Sequence, residues 1–213
     1  LPPAHPLYAG DENLAQYDFD PLLAEELLAK HGWRDTDGDG WLDKDGRRFS
    51  LVLSTRRSAL RDQITPLIAE QLGAHCGIEV QVQAYGSEFF EPGLAGVLFG
   101  RQYDLAEYAW HLTSPEPPCE LYLSSRLPQE GSWGDLNTAG LHSEAYDAAC
   151  LQAVTALDEA AYWESHLLAQ QRGDAGRGGC ARDARRFDGA AASAGIAGLV
   201  DRIQRAQNGA VAG

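Results

Sequence analysis

The densest run of potential ligand atoms is Asp35-Thr36-Asp37-Gly38-Asp39-Gly40-Trp41-Leu42-Asp43-Lys44-Asp45-Gly46. Carboxylates at alternate positions can converge on one hard cation, and a glycine at the sixth position supplies the sharp turn that a calcium loop requires. On that reading Asp35, Asp37, Asp39 and Asp43 are the candidate Ca²⁺ ligands. Two features favour the other reading, an Asx-rich turn joining a helix to a strand. The twelfth position, where a bidentate Glu would close a calcium shell, is Gly46, and a strand pattern rather than a second helix follows it.

A second candidate is Tyr103-Asp104-Leu105-Ala106-Glu107-Tyr108-Ala109-Trp110-His111-Leu112-Thr113-Ser114, a strand that ends in Trp and enters a proline-rich loop. In open α/β sheets ligands sit beyond the carboxyl ends of the strands, so Trp110, His111 and Thr113 stand where a cleft would be lined. The competing role for Trp110 is that of a core anchor. Other chemistry finds little support. Cysteines 76, 119, 150 and 180 have no C-x-x-C spacing, and the six His are scattered without helical pairing. G-x-S-x-G, P-loop and G-x-G-x-x-G patterns are all missing. A hydrolase-type enzyme would have to assemble His111 or His142 with a distant carboxylate such as Glu116 or Asp135.

The elements that must position these residues follow from apolar periodicity. Asp20-Pro21, the stripe Leu22, Leu23, Leu27 and Leu28, then Lys30, His31 and Gly32 predict a capped helix over 21–31. Phe49, Leu51 and Leu53 alternate with polar or outward positions, as do Ile78, Val80 and Val82, which predicts strands near 49–54 and 77–84. Ile64, Leu67, Ile68 and Leu72 between them recur at helical spacing, with Thr65-Pro66 either capping a shorter helix or kinking a longer one. Strand, helix, strand is the unit that builds a parallel pair with a crossover helix. A third strand is expected over 103–110. Tyr146, Ala149, Cys150, Ala153, Val154 and Leu157 mark an amphipathic helix, and Tyr162, Trp163, His166 and Leu167 a second one after Asp158. The fold class is α/β.

With 213 residues and 44% apolar content the chain can close a core, and a formal charge of -14 removes the electrostatic basis for binding nucleic acid or anionic lipid. No run is long and apolar enough to span a bilayer. The chain holds no Met and opens Leu1-Pro2-Pro3, so we expect it to be a piece of a longer protein. Composition breaks near Gln171: residues 171–213 carry 9 Gly, 11 Ala and a charge of +3, against -17 for residues 1–170. The expected organisation is therefore a lobe over 1–170 and an Ala/Gly/Arg-rich tail over 171–213. That tail resembles an out-of-frame reading of GC-rich DNA, the alternative being a flexible extension.

Taken in order, Phe19-Asp20-Pro21 through His31-Gly32-Trp33, the Asp35–Gly40 run, Gln71-Leu72-Gly73-Ala74 with Gly77-Ile78-Glu79-Val80, and Tyr103-Asp104-Leu105 to Trp110 resemble a known family. It is the extracytoplasmic solute-binding proteins of peptide-type ABC transporters, family 5, the oligopeptide, dipeptide and nickel group. Asn137-Thr138-Ala139-Gly140-Leu141 with Ser143-Glu144-Ala145-Tyr146-Asp147 resembles a further stretch of the family in degraded form. The likeness covers about residues 1–170.

This resemblance implies the C-terminal lobe of a two-lobed, class II periplasmic-binding-protein-like receptor, incomplete here and lacking its N-terminal lobe. It implies binding without catalysis of a peptide or similar small solute, delivery to ABC permease subunits, and a monomer placed in the periplasm or outside the cell. The signal or lipid anchor of such a lipoprotein would lie outside this chain. Trp110, His111, Thr113 and Asn137 are expected near the cleft. Peptide-binding members commonly carry Asp three residues after the strand-ending Trp, where this chain has Thr113. An exported receptor sits where disulfides persist, so Cys119 and Cys150 are expected to face each other, the alternative being two independent buried thiols.

Overall fold

A computed structural model describes residues 3–14, 19–110 and 119–175, with the side chains of 174 and 175 excepted. The first helix, α1 (Pro21–Lys30), begins where its sequence provides an N-cap: the Asp20 carboxylate accepts the Leu23 N–H at 2.9 Å and proline occupies the first turn. It buries Ala24, Leu27 and Leu28, whereas Leu22 faces solvent. A short antiparallel hairpin follows, β1 (Asp43–Lys44) with β2 (Arg47–Arg48), turned by Asp45-Gly46 with both residues at positive φ.

The predicted strand, helix, strand unit is present. Strand β3 (Ser50–Arg56) leads into α2 (Arg61–Cys76), which returns the chain to β4 (Glu79–Tyr85), parallel to β3 in the register Ser50↔Glu79 to Arg56↔Tyr85. Helix α2 runs through Pro66 without a break, and Thr65 Oγ1 donates to the Arg61 carbonyl at 2.8 Å in the same turn. Gly77 ends it in the left-handed region, with the Gly77 N–H bonding back to the last helical turn and the Ile78 N–H reaching Leu72 O. Strand β5 (Leu105–Glu107) adds to the other side of β3, giving the order β4-β3-β5, all parallel.

The third strand is shorter than its sequence pattern predicts. Asp104 explains the late start: its carboxylate accepts the Val52 N–H at 2.8 Å, so a side chain takes the place of a backbone partner and pairing begins at Leu53↔Leu105. Phe49 and Leu51 point into the core with Leu28, Trp33, Leu42 and Ile78, the Trp33 and Phe49 rings stack at 4.4 Å, and Leu53 is buried further along the strand. Burying each such side chain fully contributes about 1.5 to 3 kcal/mol. Val82 on the edge strand is exposed, contrary to its alternating pattern, because β4 has a neighbour on one side only.

Helices α3 (Glu144–Thr155) and α4 (Glu159–Ala175) pack against each other as a pair. Ser143 caps α3 by accepting the Tyr146 N–H at 3.3 Å, and Tyr146, Ala149, Cys150 and Ala153 form its buried face. Val154 and Leu157, expected on that face, are exposed, Val154 within the helix and Leu157 beyond its end at Thr155. Helix α4 buries Ser165, His166 and Ala169 and extends to Ala175, past the compositional break near Gln171. The rest of the expected tail lies outside the described residues. Gln170 ties the entering chain to α4 by contacting Leu7 O and the Ala9 N–H.

Cys119 and Cys150 are joined in a disulfide with Cα atoms 5.7 Å apart, and both are buried beside Tyr146, Ala149 and Ala169. No described helix is long and apolar enough to cross a membrane.

Candidate functional site

Beyond the carboxyl ends of the parallel strands the chain builds an aromatic shelf. From β5 it continues through Tyr108 to Trp110, and from β4 it passes into a turn, Ser87–Phe90, that delivers Phe89 and Phe90. The Trp110 ring lies edge-on to Tyr108 at 5.4 Å and within 6.3 Å of Phe90 and 6.4 Å of Phe99. Phe89 and Leu98 beneath are fully buried, while Trp110 is half-buried at the margin of the cluster. Such an arrangement presents a large, rigid apolar face at low conformational cost.

Polar contacts fix the shelf. The Tyr108 hydroxyl lies 2.7 Å from Thr138 Oγ1, and the Tyr103 hydroxyl donates to the Thr138 carbonyl at 2.6 Å. Burial raises the Tyr108 hydroxyl above the ordinary tyrosine pKa, against hydrogen bonding from Thr138 and from the Trp110 indole. The Trp110 ring meets Tyr108 edge-on at 5.4 Å, and Trp110 keeps part of its surface exposed. On the α2 side of the sheet, Thr55 Oγ1 contacts the Glu107 carbonyl and carboxylate at 2.8 and 2.9 Å, and Arg61 Nε lies 2.7 Å from Glu107 Oε2. These contacts brace the start of α2 against the end of β5.

The expected site residues fare differently. His111 and Thr113, with Glu116, lie outside the described residues. Asn137, expected near the cleft, is corrected to a scaffold role. It is fully buried, its Nδ2 donates toward the carbonyls of Tyr122, Leu123 and Leu141 at 3.2, 2.8 and 2.8 Å, and its Oδ1 accepts the N–H groups of Gly140 and Leu141 at 3.1 Å each. An amide with both ends engaged and no exposed surface has nothing left for a solute. The turn it holds passes through Gly140 at φ +73°, where an added Cβ would run into the Arg101 guanidinium.

The acidic loop divides as well. Asp35, Asp37 and Asp39 are exposed and bring carboxylate oxygens within 4.8 Å of one another. Each already accepts backbone N–H groups: Asp35 from Gly38 and Gly40, Asp37 from Asp39, and Asp39 from Trp41, with Arg48 paired to the second Asp39 oxygen. Asp43 does not join them. Its carboxylate turns to Thr36, accepting the backbone N–H at 2.9 Å and the hydroxyl at 2.7 Å, and these bonds hold its carboxyl below the ordinary aspartate range. The loop thereby seats Trp41 against Gly73 of α2 and lets the Leu42 N–H donate to Gly77 O at 2.7 Å.

Among the described residues no hydrogen bond joins His142, which is exposed, to a carboxylate, and Asp135 is paired to Arg126 at 3.0 Å. The sequence reading missed Tyr108, Phe90, Phe99 and Thr138. Tyr108 carried a signal, since it stands two residues before Trp110 on the same alternating segment. The others come from separate segments and carried none.

The description "Bacterial extracellular solute-binding proteins, family 5 Middle" matches residues 1–130, more than half of the chain. The chain belongs to this family. Against the oligopeptide-binding protein AppA of Bacillus subtilis (strain 168), this family 5 solute-binding protein is 40% identical over 77 residues, or 36% of its own length and 14% of AppA. The structure of AppA with a nonapeptide superposes with a TM-score of 0.65 at 26% identity, covering 81% of this chain and 33% of AppA. The oligopeptide-binding protein of Thermus thermophilus, in complex with a pentapeptide, shares the fold with a TM-score of 0.66 at 24% identity, covering 82% and 31%. The family 5 chain therefore spans about a third of the solved relatives it matches. Its α/β architecture is that of a periplasmic binding protein, in part.

Proposed function

We propose that this chain is one lobe of an extracytoplasmic receptor that binds a peptide or similar small solute without transforming it and passes it to ABC transporter permease subunits. The observation that carries the reading is Trp110: a half-buried indole at the carboxyl end of a parallel sheet, backed by Tyr108, Phe90 and Phe99. The likeness to AppA, an oligopeptide-binding protein, supports a peptide as the ligand class. A second lobe, carried by the remaining length that the relatives have, would close over the shelf. Such a receptor works in the periplasm or outside the cell, held near the membrane by the transporter. His111 and Thr113, next along the chain, are proposed to supply polar contacts to the solute.

The test is calorimetric titration of unblocked tri- to pentapeptides into the complete receptor and its Trp110→Ala variant. Loss of a buried stacking face should weaken binding by about tenfold or more while the protein stays folded. Unchanged affinity in the variant, or hydrolysis of the peptides, would overturn the proposal.

A further inference from the structure

We propose that Thr138 is a positioning residue for Trp110 and acts through the Tyr108 phenol; the inference rests on the reading of Trp110 as the ligand-facing ring. Thr138 belongs to a loop fixed independently of its own hydroxyl. The preceding Asn137 side chain anchors it with contacts to Tyr122, Leu123, Gly140 and Leu141, and the Thr138 carbonyl takes the Tyr103 hydroxyl at 2.6 Å. The Thr138 side chain is 1% exposed, so it has no freedom to follow a moving partner. Its Oγ1 meets the Tyr108 hydroxyl at 2.7 Å, and the Tyr108 ring stands at 89° to Trp110.

The remaining neighbours of Trp110, Phe90 and Phe99, touch it through tilted ring contacts at 6.3 and 6.4 Å. Contacts of that kind tolerate sliding and rotation, whereas a hydrogen bond loses strength steeply with angle. The Tyr108 ring meets Trp110 edge-on at 5.4 Å and its hydroxyl meets Thr138 Oγ1 at 2.7 Å, so the Thr138 hydroxyl sets the phenol and the phenol sets the indole. The loop after β5 and the loop before α3, 30 residues apart in the chain between Tyr108 and Thr138, thus act as one support. Removing the hydroxyl should leave both loops folded and free the ring that Trp110 leans on.

The test uses the 213-residue chain with Thr138→Val, Thr138→Ser and Tyr108→Phe, each also made with Trp110→Phe. Subtracting the Trp110→Phe signal isolates the Trp110 emission from the other indoles. Thr138→Val should raise acrylamide quenching of that emission by about twofold, as expected when a bond of this kind ceases to hold one conformer, and Thr138→Ser should restore it. If Thr138→Val does not fold, Tyr108→Phe removes the same bond from the other end and carries the same expectation. Unchanged quenching of the Trp110 emission in the folded variant, or failure of Ser to restore it, overturns the positioning role. In the complete receptor, peptide affinity that falls with Trp110→Ala but not with Thr138→Val also overturns it. Affinity indifferent to Trp110→Ala removes the ligand reading instead, and the quenching result then decides the positioning role by itself.

Discussion

Replacing Asn137 by Ala separates a scaffold from a ligand contact, because the two roles predict opposite readouts. The side chain serves five backbone groups. Two of them keep another partner: the Leu123 carbonyl also accepts the Arg126 N–H, and the Gly140 N–H also lies 3.2 Å from the Asn137 carbonyl. The Tyr122 carbonyl and both backbone groups of Leu141 lose the bond that Asn137 supplies. A buried group left unsatisfied costs about 1 to 3 kcal/mol, and since Tyr122 and Leu141 are only half-buried the low end applies, for a total near 3 kcal/mol. A loss of that size should lower the melting temperature of a chain of this length by about 6 to 12 °C. Asn137→Asp preserves shape and the acceptor oxygen but aims a carboxylate at carbonyl oxygens, so it should cost at least as much. Urea titration followed by circular dichroism measures both variants. Destabilisation below about 1 kcal/mol together with a clear loss of peptide affinity would refute the scaffold role and return Asn137 to the cleft.

Thiol titration of unfolded, unreduced protein from an oxidising host should find no more than two reactive groups, Cys76 and Cys180, out of four cysteines; four would show that the bridge does not form. Breaking it with Cys119→Ala and Cys150→Ala should cost about 3 to 4 kcal/mol in the chain-entropy treatment for a separation of 31 residues. The Asp43 carboxyl is held below its ordinary value of 3.8 by Thr36, so its contribution is present above that pH and is lost as the pH falls through the lowered value. Carboxyl ¹³C titration should therefore find a depressed Asp43 midpoint that moves back up in Thr36→Ala; an unmoved midpoint would show that the hydroxyl is not the cause. Calcium at 1 mM should shift the melting temperature by less than about 1 °C, because binding must displace Arg48 and the backbone donors that now occupy the loop, and a rise of several degrees would restore the metal reading.

Much of the framework was written locally. The Asp20-Pro21 cap, the period-2 pattern of Phe49, Leu51 and Leu53, the helical pattern of Ile64 to Leu72 and the return to period 2 at Ile78 each depend on neighbours within a few residues, so the parallel unit was legible in the order of residues alone. Trp110 at the end of a strand was legible for the same reason. What the chain could not show by itself were roles assigned by the partner that each side chain finds once the chain is folded. Asp104 shortens β5 by taking a donor 52 residues earlier, at Val52. Asp43 leaves the acidic cluster because Thr36 captures it, and Asn137 leaves the cleft because two segments, 122–123 and 140–141, close around its amide. In each case the side chain could serve either a ligand or a backbone group. For Asn137 burial decides between them, since a polar group inside the fold must find its partner there, whereas Asp43 stays partly exposed and its bonds to Thr36 decide. Residue type and spacing define what Asp43 and Asn137 are able to bind, and only the packed tertiary structure determines what they do bind.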